Sequence, residues 1–315
     1  MTGSGQQFRH RSSARTSVGQ VRENNEDSIR LWSQDPWVLG VVADGLGGAA
    51  AGEEASRLAV QAIERGVPLP GQADESELDA LTDTAVADSL EAAIHAGNLD
   101  ILELARQTPN MRGMGTTVTA AYVRGDRCVV AHVGDSRAYL VNAFSGQIEQ
   151  ITSDHSFVEA LVAAGHLTAD QAAGHPMKNV LYRALGQSEN VEVDIYELRL
   201  SPGDQLVLCS DGLPRHVSTP EIGEIAHASD DPQAVSSKLI DLANARGGED
   251  NVSVIVIRVE AGDPAGDSEA AVELRPIDPQ AEETLAFKGR GLLDDLIAPP
   301  PTPPDPAAND TGASQ

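Results

Sequence analysis

Residues 37–48 read WVLGVVADGLGG, an apolar run that ends in an aspartate and a glycine. The run Trp37–Ala43 predicts a buried strand, and the Asp44-Gly45 pair that follows predicts its end. A strand end is a rigid place to hold a carboxylate, and glycine lets the backbone approach a ligand closely. The stretch therefore predicts a central strand with a candidate site at its end.

The same arrangement occurs at three more aspartates. Asp135 follows the run VVAHVG, Asp211 follows LVLCS, and Asp250 precedes NVSVIVI. Taken alone, each is more typical of an ordinary turn. Taken together, four carboxylates at strand ends would repel one another without a counter-charge. They predict a site for Mg²⁺ or Mn²⁺, because these ions prefer oxygen ligands.

Composition limits the class of protein. The chain has 315 residues, of which 41% are apolar, and a net charge of −26. Such an acidic protein lacks the basic footprint that nucleic acids and anionic lipids require. We find no apolar run of about 18 residues and no apolar signal core, so we expect a cytoplasmic protein without membrane insertion. Cys128 and Cys209 lie in apolar runs and are expected to be buried free thiols.

The chain divides by composition into three parts. Residues 1–12 are expected to be a flexible N-terminus, residues 13–260 a single domain, and residues 261–315 a disordered tail. The tail is rich in proline, alanine and acidic residues, so it cannot bury enough apolar surface to offset its ordering entropy. Within it, Glu283–Ile297 concentrates leucines and is either a short docking segment or a chance apolar fluctuation.

The domain reads as many strands and a few helices. Short connections with turn residues favour hairpins, and therefore mainly antiparallel sheets covered by helices. The runs typical of strands are 13–19, 28–32, 37–43, 116–124, 127–133, 136–141, 147–152, 193–200, 205–209 and 251–259. Helical periodicity appears over 49–65, 82–106 and 232–245.

The glycines after Asp44 resemble two nucleotide-binding motifs, and both interpretations fail. Gly47 and Gly52 have the spacing of a phosphate-binding loop, but Glu53 stands where that loop requires a lysine. A dinucleotide fingerprint would place Asp44 against the pyrophosphate. We therefore predict no nucleotide cofactor at this strand end.

A second polar element, RENNED, occupies residues 22–27 just before a strand. An arginine near a carboxylate cluster is most often an ion-pair partner. Alternatively, the planar guanidinium of Arg22 binds a phosphate through paired hydrogen bonds, which a lysine cannot reproduce.

Eight motifs follow one another along the chain: Arg22 with Asn25-Glu26-Asp27, VVADGLGG (41–48), GMGTT (113–117), HVGDSRAYL (132–140), TSDHS (152–156), LYRALG (181–186), CSDGL (209–213) and EDNVSVIVI (249–257). Their order is the one found in bacterial metal-dependent serine/threonine protein phosphatases of type 2C, and the chain resembles this family over about residues 13–259.

The resemblance implies an α+β fold: a four-layer sandwich of two mainly antiparallel sheets flanked by helices, with a dinuclear Mn²⁺ or Mg²⁺ centre at one end. It implies that Asp44 bridges the two ions and that the carbonyl of Gly45 binds one of them. Asp211 and Asp250 would complete the coordination of the other ion. Asp135 corresponds to the ligand of a third, weaker ion.

The resemblance also assigns roles around the metal ions. Glu26 and Asp27 would accept hydrogen bonds from metal-bound water, and Arg22 would hold the substrate phosphate. Some members place a histidine where this chain has Leu46, so that candidate acid for the leaving group is absent. Either a metal-bound water or His155 could replace it, although a structural role for His155 is the more ordinary interpretation. Residues 154–187 resemble the variable flap beside the active site.

The implied activity is hydrolysis of phosphoserine and phosphothreonine in proteins by a metal-bridging water, in cytoplasmic signalling. The expected partners are phosphoproteins, including a serine/threonine kinase, and the protein is expected to be a monomer. One alternative is a catalytically silent phosphoprotein-binding scaffold. Another is a phosphatase of a partner-switching anti-sigma antagonist.

Overall fold

The computed structural model describes residues 8–69, 78 and 81–262. Its strands are β1 (Phe8–Ser17), β2 (Ser28–Gln34), β3 (Trp37–Ala43), β4 (Gly45–Leu46), β5 (Gly115–Thr116), β6 (Val118–Arg124), β7 (Arg127–Val133), β8 (Arg137–Val141), β9 (Ile148–Gln150), β10 (Asp194–Arg199), β11 (Gln205–Cys209) and β12 (Val252–Ala261). Its helices are α1 (Ala49–Gly66), α2 (Asp83–Gln107), α3 (Phe157–Ala163), α4 (Ala169–Ala173), α5 (Thr219–His227) and α6 (Pro232–Ala245), with a short 3₁₀ turn at Pro109–Met111.

Two antiparallel five-stranded sheets form the centre of the molecule. Their strand orders are β1-β12-β11-β8-β9 and β10-β7-β6-β3-β2. Residues such as Val42, Val130 and Ile255 fill the layer between the sheets. Helices α1 and α2 cover the outer face of the sheet that contains β3, and α5 and α6 cover the outer face of the other. The predicted four-layer α+β sandwich is confirmed.

Strands β3, β7 and β11 match their predicted limits because they are apolar on both faces. Strands β3 and β11 are buried along their whole length, as expected of strands that lie between two other layers. Cys128 in β7 and Cys209 in β11 are buried free thiols, as predicted. Among the described residues, no helix combines the length and the apolar character that a membrane crossing would need.

Strand β1 begins earlier than the sequence suggested. Phe8 pairs with Ala261, and the pairing with β12 continues without interruption to Ser17. Residues 8–12, expected to belong to a flexible N-terminus, therefore lie in an edge strand. Their sequence, FRHRS, has too few apolar residues for a strand to be predicted. It can still form one, because an edge strand needs little apolar surface once its backbone is paired. Residues 1–7 and 263–315, with the Glu283–Ile297 segment, lie outside the described residues.

Helix α5 was not predicted, although its start carries a recognisable signal. The backbone N–H of Ser218 donates to the carboxylate of Glu221 over 3.0 Å, which is one half of a capping box. Ile222 and Ile225 then bury one face of the helix against the sheet. The helix has nine residues, too few for a clear period in the sequence.

The strand register places the ends of several strands of each sheet side by side. Ser28 at the start of β2 pairs with Ala43 at the end of β3. Val118 at the start of β6 pairs with Val133 at the end of β7. Cys209 at the end of β11 pairs with Val254, near the start of β12. The residues that immediately follow β3, β7 and β11, or precede β2 and β12, are thus brought to the same end of the sandwich.

Candidate functional site

The backbone of Asp44 is held by the loop that leads into β6. The Asp44 N–H donates to Thr117 Oγ1 over 3.0 Å, and its carbonyl accepts from the Thr117 N–H over 2.9 Å. Thr116 Oγ1 donates to the same carbonyl over 2.8 Å. The GMGTT motif therefore fixes where the strand-end carboxylate stands. Sequence reasoning had recognised the motif without giving it a role.

The structure brings together the aspartates that were predicted to converge. The pKa of Asp44 lies well above its usual range because the carboxyl is withdrawn from water and because nearby carboxylates, first Asp27 and Asp211, add negative charge. Burial and the charge of Asp211 likewise raise the pKa of Asp135. Burial also raises the pKa of Asp211, with Asp250 adding to the effect and Arg215 opposing it.

Arg215 lies at the centre of this cluster and was not among the predicted residues. Its Nη1 donates to Asp250 Oδ2 over 2.8 Å, and its Nη2 contacts the carboxylate of Asp211. The turn after β11 creates this contact, because the Arg215 N–H donates to the Asp211 carbonyl over 3.3 Å, as in one turn of helix. The four-residue spacing in DGLPR was the available signal, since residues at that spacing face each other on a helical turn.

The aspartate side chains of the cluster influence one another electrostatically. Among the residues that the structure describes, no three His, Cys, Asp or Glu side chains converge tightly enough to ligate a single ion. Arg215 pairs with both Asp211 and Asp250 and supplies positive charge beside these two carboxylates. The donor set nevertheless suits a hard cation, because it consists of carboxylate oxygens whose mutual repulsion a divalent ion would relieve.

Arg22 lies at the rim of the cluster. Its Nη2 is 3.0 Å from Asp250 Oδ1, and its side chain is 43% exposed. Of the roles considered from the sequence, the structure thus displays the ion pair. The exposure leaves part of the guanidinium facing solvent at the mouth of the site.

Asp27 and Glu26 lie behind the aspartate cluster. Asp27 Oδ2 accepts from Ser210 Oγ and Ser253 Oγ over 2.7 and 2.6 Å, while its buried Oδ1 has no hydrogen-bond partner among the described residues. Burial raises the pKa of Asp27 to about 7. Burial also raises the pKa of Glu26, to about 6, although Arg22 opposes the shift. Both carboxyls therefore lie in poorly solvated positions, where a cation or a proton would be stabilised.

Asn251 ties together the two loops that carry these groups, and no role had been predicted for it. Its Nδ2 donates to the carbonyls of Asn24 and Val18 over 2.7 and 2.9 Å. Its Oδ1 accepts from the Glu26 N–H over 2.8 Å. The residue that follows Asp250 thus fixes the segment of residues 18–26 against the start of β12.

Gly45 occupies a place that no side chain could share. A Cβ there would lie 2.3 Å from the carbonyl oxygen of Gly52 and 2.7 Å from that of Glu26. The Gly45 N–H also donates to the Glu26 carbonyl over 3.2 Å. The glycine after the strand-end aspartate is therefore required for the close approach of three backbone segments.

His155 and the flap are arranged differently from a proton-donating site. His155 is 1% exposed, and both of its ring nitrogens are hydrogen-bonded, to the Gly134 N–H and to Asp194. Burial lowers the pKa of its imidazole, which keeps it neutral. It is a structural histidine here. In the flap, Lys178 is exposed and Arg183 is paired with Asp194.

Comparison with known proteins gives a consistent result. The family model described as protein phosphatase 2C matches residues 16–244. A putative protein phosphatase 2C-type of Streptococcus pyogenes is 37% identical over 252 residues, which are 80% of this chain and 98% of that protein. The serine/threonine protein phosphatase PstP of Mycobacterium tuberculosis is 39% identical over 258 residues, 79% of this chain but 45% of that protein.

Solved structures agree with the sequence comparison. The serine/threonine phosphatase of S. agalactiae superposes with a TM-score of 0.70 at 37% identity, covering 80% of this chain and all of that one. The catalytic domain of PstP in complex with two manganese ions gives a TM-score of 0.69 at 36% identity, covering 80% and 99%. From its sequence motifs, its four-layer architecture and these matches, the chain belongs to the protein phosphatase 2C family.

Proposed function

We propose that this chain hydrolyses phosphoserine and phosphothreonine esters in proteins with the help of Mn²⁺ or Mg²⁺. The observation that carries the proposal is the convergence of four strand-end aspartates with Arg22 at their rim. The same combination suits an anionic ester, because bound cations and a guanidinium both attract phosphate. The structural relative that contains two manganese ions supports the choice of metal.

The proposed ligands follow from the positions of the carboxylates. Asp44 would bridge two core ions, with the Gly45 carbonyl on one of them, and Asp211 and Asp250 would complete the other. Asp135 would hold a third, weaker ion. The support is electrostatic: each of Asp44, Asp135 and Asp211 has a pKa raised by burial and by its neighbours, so a cation would replace a proton at this cluster.

The residues of the chain divide the remaining work among them. Bound divalent cations supply a water of lowered pKa and neutralise charge on the phosphoryl group. Arg22 orients the substrate phosphate from the rim, where its guanidinium is partly exposed. Asp27 and Glu26 accept hydrogen bonds behind the cluster. Asp27 Oδ1 can accept a further one, because it has no partner among the described residues. Asn251 and Thr117 keep the loops that carry these groups in place.

We further propose a serine/threonine kinase among the substrates, a monomeric state and a cytoplasmic role in signalling. Relatives named serine/threonine phosphatases in Listeria and Mycobacterium support a phosphorylated protein as the substrate, of which a serine/threonine kinase is one example. The acidic surface also disfavours competition from nucleic acids.

Phosphate release from a phosphothreonine peptide tests the proposed activity directly. Release should occur with Mn²⁺ or Mg²⁺ and stop when a chelator is added. Binding of the phosphopeptide without release under any metal condition would favour the silent scaffold and overturn the proposal.

Substitution of Arg22 by lysine should weaken binding of every phosphate ester. The loss of a planar, two-point contact should raise KM for a phosphothreonine peptide and for a small aryl phosphate alike, at a cost of about 1–3 kcal/mol. Steady-state kinetics on both substrates measures it. Arg65→Lys is the matched control, because Arg65 pairs with Asp100 on the outer helices. Unchanged kinetics on both substrates would remove Arg22 from the site.

Substitution of Asp135 by alanine should separate the third ion from the core pair. Calorimetry should still detect tight binding of two Mn²⁺ ions, while turnover of phosphopeptides falls. Asp126→Ala is a suitable control, because Asp126 lies in the turn at the opposite end of β7 and pairs with Arg199. Loss of all metal binding in Asp135→Ala would instead place Asp135 in the core pair.

A further inference from the structure

His155 makes a double connection to the turn that carries Asp135. The His155 N–H donates to the Gly134 carbonyl over 2.7 Å, and the Gly134 N–H donates to His155 Nδ1 over 3.0 Å. Gly134 has a φ of +115°, and a Cβ there would collide with Thr117, so this turn depends on an unusual backbone conformation. The side chain of His155 thus secures a turn that few residues could adopt.

The opposite edge of the imidazole faces the far end of the flap. Because Nδ1 accepts from the Gly134 N–H, the proton of the neutral ring is assigned to Nε2, which lies 3.1 Å from both Asp194 Oδ2 and Arg183 Nη1. Asp194 Oδ1 accepts from Arg183 Nη1 over 2.6 Å. The hydrogen bonds from His155 and Arg183, together with the charge of Arg183, outweigh the effect of burial and lower the pKa of Asp194, so it remains a carboxylate.

The two ends of the flap meet at this histidine. The Tyr182 N–H donates to the His155 carbonyl over 2.9 Å, and Ser156 pairs with Leu181 in an isolated bridge. The Tyr182 ring lies 5.6 Å from the imidazole, centroid to centroid. His155 therefore lies where the flap leaves the body of the protein, where it returns, and where the Asp135 turn begins.

We infer that His155 is a positioning residue with two separate tasks: Nδ1 fixes the turn that presents Asp135, and Nε2 anchors the base of the flap through Asp194 and Arg183. The expected effects on metal binding and on substrate binding rest on the proposed function. A histidine that only filled space in the core would not require a specific hydrogen-bond partner at either ring nitrogen. Here each ring nitrogen serves a different segment, so the two tasks can be removed one at a time.

Two substitutions separate the edges. In His155→Asn, the amide oxygen can take the place of Nδ1, while the bond to Asp194 is lost. In His155→Gln, the longer amide can reach Asp194, while the acceptor for the Gly134 N–H is lost. Asp194→Ala is the third variant, because it removes the flap anchor at a partly exposed residue without changing the core.

The variants at the two ring nitrogens are expected to affect different measurements. His155→Asn and Asp194→Ala should raise KM for a phosphopeptide, with the third Mn²⁺ still binding in calorimetry. His155→Gln should weaken that Mn²⁺ and speed hydrogen exchange of the Gly134 amide about tenfold, as for the loss of one hydrogen bond. Equal effects of His155→Asn and His155→Gln, or an unchanged KM in Asp194→Ala, would overturn the inference.

Hydrogen exchange also separates this inference from the proposed activity. Exchange is measured on the full chain without metal or substrate, at the Gly134 amide and at the amides of residues 181–185. If the wild type released no phosphate but the exchange split remained, the two anchors would stand and the phosphatase assignment would fall. If phosphate release were normal and the exchange rates did not split, only the role of His155 would be wrong.

Discussion

Replacement of Asp44 by asparagine should nearly abolish phosphate release while making the metal-free protein more stable. Its carboxylate is the proposed bridge between both core ions, and one neutral amide oxygen cannot replace it. The gain in stability follows from the raised pKa of Asp44 in the folded state. A group of this kind stabilises the fold below its unfolded pKa and loses that contribution as the pH rises through its folded pKa. Asparagine cannot ionise, so the metal-free variant does not undergo this loss of stability as the pH rises.

Two measurements together test this result. Phosphate release at saturating Mn²⁺ should fall, and the thermal midpoint in chelator should rise. Glu53→Gln is the matched control, because Glu53 lies near the start of α1, the helix that follows Asp44, and is not a proposed ligand. Retention of more than about a tenth of wild-type activity would contradict a metal pair bridged by Asp44, since such a loss is small for a shared metal ligand.

The strand-end aspartates could be found from the sequence because both signals are local. Strand β3 is apolar at nearly every position, and the pair Asp44-Gly45 follows it directly. Strand β11 gives the same signal before Asp211. Convergence of these ends needs antiparallel pairing, which short hairpin connections predict, and also the stacking of two sheets, because β3 and β11 belong to different sheets.

The supporting residues could not be found in that way, because their partners are distant in sequence. Thr117 holds Asp44 across 73 residues, and Asn251 reaches Asn24 across 227. Arg215 is only four residues from Asp211, but that spacing brings the two side chains together only in the helical turn that follows β11. A resemblance to a family transfers motifs, whereas these contacts depend on the packing of this chain.

Substitution of Gly212 by alanine should both destabilise the fold and abolish metal binding. A Cβ at Gly212 would lie 2.0 Å from the carbonyl oxygen of Asn251 and 3.0 Å from its carbonyl carbon. These are backbone atoms at the start of β12, so they cannot move aside without displacing the hydrogen bonds of Asn251 to the loop before β2. We expect a loss of about 3 kcal/mol in the free energy of unfolding, typical of a severe steric conflict in a packed interior.

Urea unfolding and Mn²⁺ calorimetry on the same preparation distinguish the two effects. Gly174→Ala is the control, because a Cβ there meets nothing within 4 Å and the glycine has a φ of −94°. The fraction of Gly212→Ala that remains folded should still fail to bind Mn²⁺ tightly, since separation of Gly212 from Asn251 also separates Asp211 from Asp250. Normal stability with normal metal binding would show that the contact between residues 212 and 251 can relax. It would also show that the spacing of Asp211 and Asp250 does not depend on Gly212.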